Sequence, residues 1–285
     1  MLTSIEYWFS QSASAPISEE RGISVSRTTS NKMTPSRMTP HIRYGAALLI
    51  LILLSFKVDE VYAQPQRWFD RPQNEWPQIT LVNQIDYVGK KFPIAGCSFL
   101  LDTGKDTLLV TAKHILTYFK SDTMKSVFFA HSLKEWRAFP KNNPANVVVV
   151  DSLLNADSTE PIGRIPSHRD WLLFSIRQKS RNIWPLRLRM DSLRHGEPVF
   201  IVGWRYTDTS CTQRVYEGSY VESQEGSVII STKLLSDNRM PGLSGSPVID
   251  ANGCVIGIMS QKHGKLERLG SVDYPRKIVE LRLRR

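Results

Sequence analysis

Cysteine is scarce and its number is odd: Cys97, Cys211 and Cys254 are the only three in 285 residues, so at most one disulfide can form within the chain. No Cys-x-x-Cys pair occurs, which argues against a zinc site or a dithiol redox motif. There is no nucleotide-binding glycine loop, no metal-ligand helix and no other cofactor motif, so no cofactor and no metal are expected. Acidic residues are in the minority, 27 Asp and Glu against 37 Lys and Arg, for a net charge of +10. Such an excess favours anionic partners. The basic residues are scattered, however, and only Arg282, Arg284 and Arg285 cluster. Without zinc-finger spacing or an RNA-binding signature, the charge reads as a solvated basic surface, and no nucleic-acid partner is expected. At 41% hydrophobic and 22% charged residues, the composition excludes a disordered or collagen-like chain.

Long apolar runs are also nearly absent. Gly45–Phe56 is the exception, and its twelve residues fall short of the roughly 20 that a membrane-spanning helix needs. His41 and Arg43 precede the run and Val61-Tyr-Ala63 follows it. A basic flank, a short apolar stretch and a small residue at the end match a secretory signal peptide. Lys57, Asp59 and Glu60 interrupt that pattern, which leaves an uncleaved membrane anchor and a buried core helix as the alternatives. Met33 and Met38 are more natural starts than Met1. The expected organisation is an N-terminal extension with signal or anchor over 1–63, a linker over 64–76 and a folded domain over 77–285. The expected location is periplasmic or extracellular, or attached to a membrane through 45–56.

From residue 77 onward, short apolar and β-branched runs alternate with turn residues. The runs are Ile79–Val82, Thr107–Thr111, Val127–Phe129, Val147–Val150, Trp171–Ile176, Val199–Val202, Ser227–Ser231 and Val255–Met259. Lys141-Asn-Asn-Pro144 and Asp250-Ala-Asn-Gly253 break the chain, the second as a hairpin turn. The pattern predicts an all-β barrel or sandwich. Two helices are expected, one from Ala112 to Phe119 and one after Pro275.

Three local sequences carry chemistry. Leu108-Leu-Val-Thr-Ala-Lys-His114 ends an apolar strand in a histidine turn. Asp170 heads the apolar stretch Trp171–Ile176, and Pro241-Gly-Leu-Ser-Gly-Ser-Pro247 is a glycine-rich turn around a serine. Each alone reads as ordinary loop or cap chemistry. Together they supply what acyl transfer requires. A serine hydroxyl is a weak nucleophile and needs a base within hydrogen-bond reach. Histidine is suited to take and return that proton near neutral pH. A buried carboxylate must hold the other imidazole N–H. Backbone amides must meet the oxyanion, and the N–H groups of Gly242 and Ser244 are the candidates.

This ordered trio resembles the trypsin-like (chymotrypsin-fold) serine peptidase superfamily, nearest to the HtrA-like bacterial type without a PDZ domain. In that family a Thr-Ala-x-His segment, an Asp heading an apolar strand and a Gly-x-Ser-Gly-x-Pro loop occur in the same order. Here His114, Asp170 and Ser244 follow at intervals of 56 and 74 residues. Gly96–Leu100, Gly196–Gly203, Asn252–Ile258 and Gly270–Pro275 extend the resemblance over about residues 77–285. It implies two six-stranded antiparallel β-barrels with the active site between them, a boundary near 178–195 and a short C-terminal helix. It also implies a serine endopeptidase acting on polypeptides, with His114, Asp170 and Ser244 as the triad and Gly242 and Ser244 as the oxyanion hole. By the same resemblance Asn238, Ser260, Gln261, Lys262 and Gly270 line the substrate pocket, with Ser260 near Asp170. Lys113 stands where a small residue is usual, Leu243 where an acidic one is common and Ser246 where glycine is common. No Ile-Val-Gly-Gly activation sequence starts the domain.

A catalytically silent binding protein on the same scaffold is the main alternative. An α/β-hydrolase would carry Gly-x-Ser-x-Gly with histidine last in the chain, whereas Ser244 is last here. Lys262 either attracts acidic side chains at the pocket mouth or is a solvated rim lysine. Cleavage of peptide libraries by the native chain and by Lys262→Ala separates the two: a lost preference for acidic residues supports the first, and identical profiles support the second.

Overall fold

The computed structural model describes residues 67–119, 124–129, 132–162, 169–224, 226–235, 241–262 and 269–273. The expected signal or anchor, the helix after Pro275 and Asn238 lie outside them. Among the described residues sixteen strands follow in chain order. β1 to β5 are Leu81–Tyr87, Lys90–Phe92, Cys97–Asp102, Thr107–Thr111 and Ser126–Val127. β6 to β10 are Leu133–Phe139, Val148–Leu153, Asp157–Pro161, Leu172–Lys179 and Leu186–Arg187. β11 to β16 are Pro198–Gly203, Arg214–Gln224, Ser227–Thr232, Pro247–Ile249, Val255–Lys262 and Leu269–Asp273. The expected helix at Ala112 is a 3₁₀ turn over Lys113–Ile115 that runs into one α-turn, Leu116–Phe119.

The first barrel forms from the order β3-β4-β9-β7-β6-β1, and β1 closes the ring by pairing with β3 as well. β1 does so by splitting its length: Leu81 and Val82 face β3, while Val82–Tyr87 runs along β6. Two short strands decorate the ring, β2 against β1 and β10 parallel to β3. The second barrel is closed in the order β11-β12-β13-β16-β15-β14. β5 and β8 make a separate two-stranded sheet. Of the strands outside the expected runs, β6 and β12 are the longest. β6 and β12 carry charged and polar residues on their outer faces, and their burial alternates or is partial, so neither presents a continuous apolar run.

The period of two along each strand divides the core. On β11, Val199 and Ile201 point into the second barrel with Val228, Ile230, Val248 and Met259. Phe200 and Val202 on the opposite face join the large cluster built on the first barrel. Both faces of β11 are therefore buried, which explains why its sequence is apolar without alternation. In the first barrel Trp136 packs on Phe174 with ring centroids 4.7 Å apart, and each such buried side chain contributes about 1.5–3 kcal/mol. Residues 67–76 are not a free linker. Phe69 packs on Phe200 at 4.6 Å, and Gln73 donates to the backbone oxygen of Gln213.

One buried amide stitches the first barrel where it meets the site. Asn83 is fully buried. Its Nδ2 donates to Ala95 O at 2.9 Å, to Cys97 O at 3.0 Å and to Thr111 Oγ1 at 3.1 Å. Its Oδ1 accepts from Trp136 Nε1 at 3.0 Å. Asn83→Leu strands these partners without water, and unsatisfied buried groups cost about 1–3 kcal/mol each. The expected result is a loss of roughly 3 kcal/mol in urea unfolding, with an unchanged m-value.

Candidate active site

The strand register delivers the histidine to the aspartate. β4 pairs antiparallel with β9 through Thr111↔Leu172, so Asp170, two residues before β9 pairing begins, lies beside the start of the histidine turn. Asp170 is 1% exposed. Asp170 Oδ1 accepts the backbone N–H of His114 at 2.7 Å, and Oδ2 lies 2.6 Å from His114 Nδ1. Ser260, on β15 of the second barrel, donates its hydroxyl to the same Oδ2. Two bonds from one turn and one from the other barrel hold both carboxylate oxygens. Thr117 Oγ1 donates to His114 O at 2.6 Å and closes the turn.

Ser244 approaches the other side of the ring, with Oγ 2.7 Å from His114 Nε2. An ionised carboxylate only accepts hydrogen bonds, so Nδ1 carries the proton and Nε2 is left to accept from the serine hydroxyl. The serine loop is fixed to β15: Gly245 N–H donates to Met259 O and Met259 N–H to Ser246 O. Leu243 is fully buried in the second barrel's core, which accounts for an apolar residue at that position. Among the described residues, the amides of Gly242 and Ser244 have no protein acceptor.

Two glycines allow the barrels to touch. Cys97 N–H donates to Ser244 O at 2.7 Å, so two backbones are in direct contact at Ser244. A Cβ on Gly245 would lie 2.1 Å from Cys97 O, and one on Gly96 2.8 Å from Ser244 O. Gly245 also has φ +85°, a conformation that glycine adopts without steric cost. Cys97 Sγ lies 3.1 Å from Gly242 O and donates to it. Burial pushes this thiol up to about 11, so it is a hydrogen-bond donor rather than a nucleophile. All three cysteines are free thiols.

The remaining expected pocket residues are less fully described. Gln261 and Lys262 lie on β15 and Gly270 lies opposite Lys262 on β16, but their side chains are outside the description, as is Asn238. Lys113 is paired with a carboxylate. Its Nζ is 2.8 Å from both carboxylate oxygens of Glu160, and it is 3% exposed. No local signal links residues 47 positions apart in sequence.

The loop after β11 flanks the serine loop and is built on one carboxylate. Asp208 accepts from Arg205 N at 2.8 Å, from Arg205 Nη2 at 2.7 Å and from Tyr216 Oη at 2.8 Å. Burial alone would raise its pKa, but the Arg205 hydrogen bonds and that from Tyr216 outweigh burial and lower it from 3.8 to about 2.

Two closed six-stranded barrels in this connectivity define the chymotrypsin-like fold class. The trypsin-like peptidase domain family matches residues 96–258, more than half of the sequence, and the chain belongs to that family of serine-type endopeptidases. No curated protein is significantly similar to it. Among solved structures, the Rv3671c protease from M. tuberculosis in its active form is 12% identical with a TM-score of 0.49, over 75% of this chain and 83% of that one. The serine endoprotease from Yersinia pestis is 14% identical with a TM-score of 0.47, over 73% of this chain. The match spans 62% of the Yersinia chain, less than two thirds of its length. Likeness at this level adds nothing to the fold read from the sheets.

Asp208 links the site's flank to acid stability. Because its folded pKa lies below its ordinary value, it contributes stability above about pH 4 that is lost as pH falls through 2. The depression corresponds to about 2 kcal/mol. In Asp208→Asn, denaturant unfolding measured from pH 5 to pH 2 is expected to show lower stability at pH 5 and a shallower fall toward pH 2.

Proposed function

We propose that this peptidase cleaves peptide bonds with His114, Asp170 and Ser244 as its triad and the amides of Gly242 and Ser244 as its oxyanion hole. The observation that carries the reading is the pair of bonds at one imidazole, 2.6 Å to a buried carboxylate and 2.7 Å to a serine hydroxyl.

Ser244 Oγ adds to the scissile carbonyl carbon while Nε2 of His114 takes its proton. Asp170 accepts the hydrogen bond from Nδ1–H throughout and stabilises the imidazolium that forms. The carbonyl oxygen becomes an oxyanion, met by the Gly242 and Ser244 amides. Collapse breaks the C–N bond, and Nε2 passes its proton to the departing amine. Water then repeats the sequence on the acyl-enzyme and regenerates Ser244. Asp170 keeps its role only if it stays oriented, which the His114 amide and the Ser260 hydroxyl favour. Asn238, Ser260, Gln261, Lys262 and Gly270 are proposed to border the substrate side chain.

The apolar run 45–56 supports export through the membrane, with cleavage near Ala63. Among the described residues, no helix is long and apolar enough to cross a membrane. Ser244→Ala is expected to lower kcat on peptide substrates by at least about 10⁴-fold with an unchanged unfolding curve, given the effect of removing a triad member elsewhere. A fluorophosphonate probe should label the native chain and not the variant. Labelling of the variant, or native-level turnover by it, would overturn the assignment. A native chain that folds but neither turns over nor takes up the probe would favour the silent binding protein.

A further inference from the structure

We infer that Tyr206 is a positioning residue that bolts the oxyanion loop to the first barrel across the cleft. The inference rests on the assignment of Gly242 and Ser244 as oxyanion donors.

Tyr206 is bonded to both flanks of the nucleophile. Its backbone N–H donates to Pro241 O at 2.9 Å, immediately before Gly242. Its phenol oxygen accepts the backbone N–H of Gly96 at 3.1 Å. The next amide along, that of Cys97, donates to Ser244 O. A continuous set of bonds therefore runs from Pro241 through Tyr206 and Gly96 to the carbonyl of Ser244. It encloses the Gly242 and Ser244 amides between its two ends.

The contact is close and leaves little room for drift. A Cβ on Gly242 would sit 2.6 Å from Tyr206 N. The turn bearing Tyr206 is itself stiff, because Asp208 binds the Arg205 backbone and guanidinium. Trp204 lies beside the Tyr206 ring, centroids 5.9 Å apart. Yet Tyr206 is 49% exposed, so core packing does not account for where its hydroxyl sits. The hydroxyl instead satisfies an amide that would otherwise need another acceptor. Donors must be set before charge develops on the substrate oxygen, since an oxyanion hole gains from not having to reorganise. A bond joining the two sides of the loop acts on that geometry and so on the transition state, with little effect on ground-state binding.

Tyr206→Phe removes the acceptor and keeps the ring. With a peptide p-nitroanilide, kcat per titrated active site is expected to fall about fivefold to tenfold, the range set by loss of one hydrogen bond. KM should stay within about twofold, as for an interaction made only in the transition state. Inhibition by a peptide aldehyde, whose serine adduct carries a tetrahedral oxygen, should weaken by the same factor as kcat. The melting temperature should fall by no more than about 3 °C. Unchanged kcat per titrated site would overturn the inference, whether or not the melting temperature drops. A rise in KM alone would also overturn it, assigning Tyr206 to substrate contact. Ser244→Ala measured alongside separates the levels: native activity in that variant removes the underlying assignment, whereas loss there with an unaffected Tyr206→Phe removes only the bolt.

Discussion

The two barrels meet backbone to backbone at Ser244, and the candidate site depends on that contact. Cys97 N–H reaches Ser244 O at 2.7 Å only because neither Gly96 nor Gly245 has a side chain in the way. His114 is anchored to the first barrel through the β4 turn, and Ser244 to the second through Met259. Their separation is set by how closely the barrels approach. A shift of one ångström at the contact would take the hydroxyl out of reach of the imidazole, and misplacements of that size cost orders of magnitude in rate.

Around that contact the polar groups are paired in a consistent way. Asp170 is shared between His114 and Ser260, one from each barrel. Asn83 ties together β1, β3 and β4 behind the site. The Cys97 thiol and the phenol of Tyr206 complete the shell behind the loop. These side chains do not resemble catalytic groups in the sequence. Buried polar networks of this kind impose one arrangement because an unpaired member is costly in a low-dielectric interior.

The charge of the chain has a smaller part in this. Lys113 illustrates how a cation beside the histidine can be spent on structure: it is buried and paired with Glu160 on β8. The Asp208 cluster likewise uses Arg205 to hold a turn. Of the 37 Lys and Arg in the chain, these two are thus held in structural ion pairs.

Strand-forming runs, the histidine and serine turns and the aspartate before β9 were legible because each depends on neighbours in the chain: β-branched residues favour extended backbone, and glycine and proline punctuate it. β6 and β12 escaped notice because their half-exposed faces break the apolar pattern. Covalent order alone determined which residue types were present and in what succession. Tertiary structure decided the closure of each barrel, the sharing of Asp170, the Lys113–Glu160 pair and the placement of Tyr206. Those contacts join residues as far as 110 positions apart, and their geometry follows from packing two cores together, which no local propensity encodes.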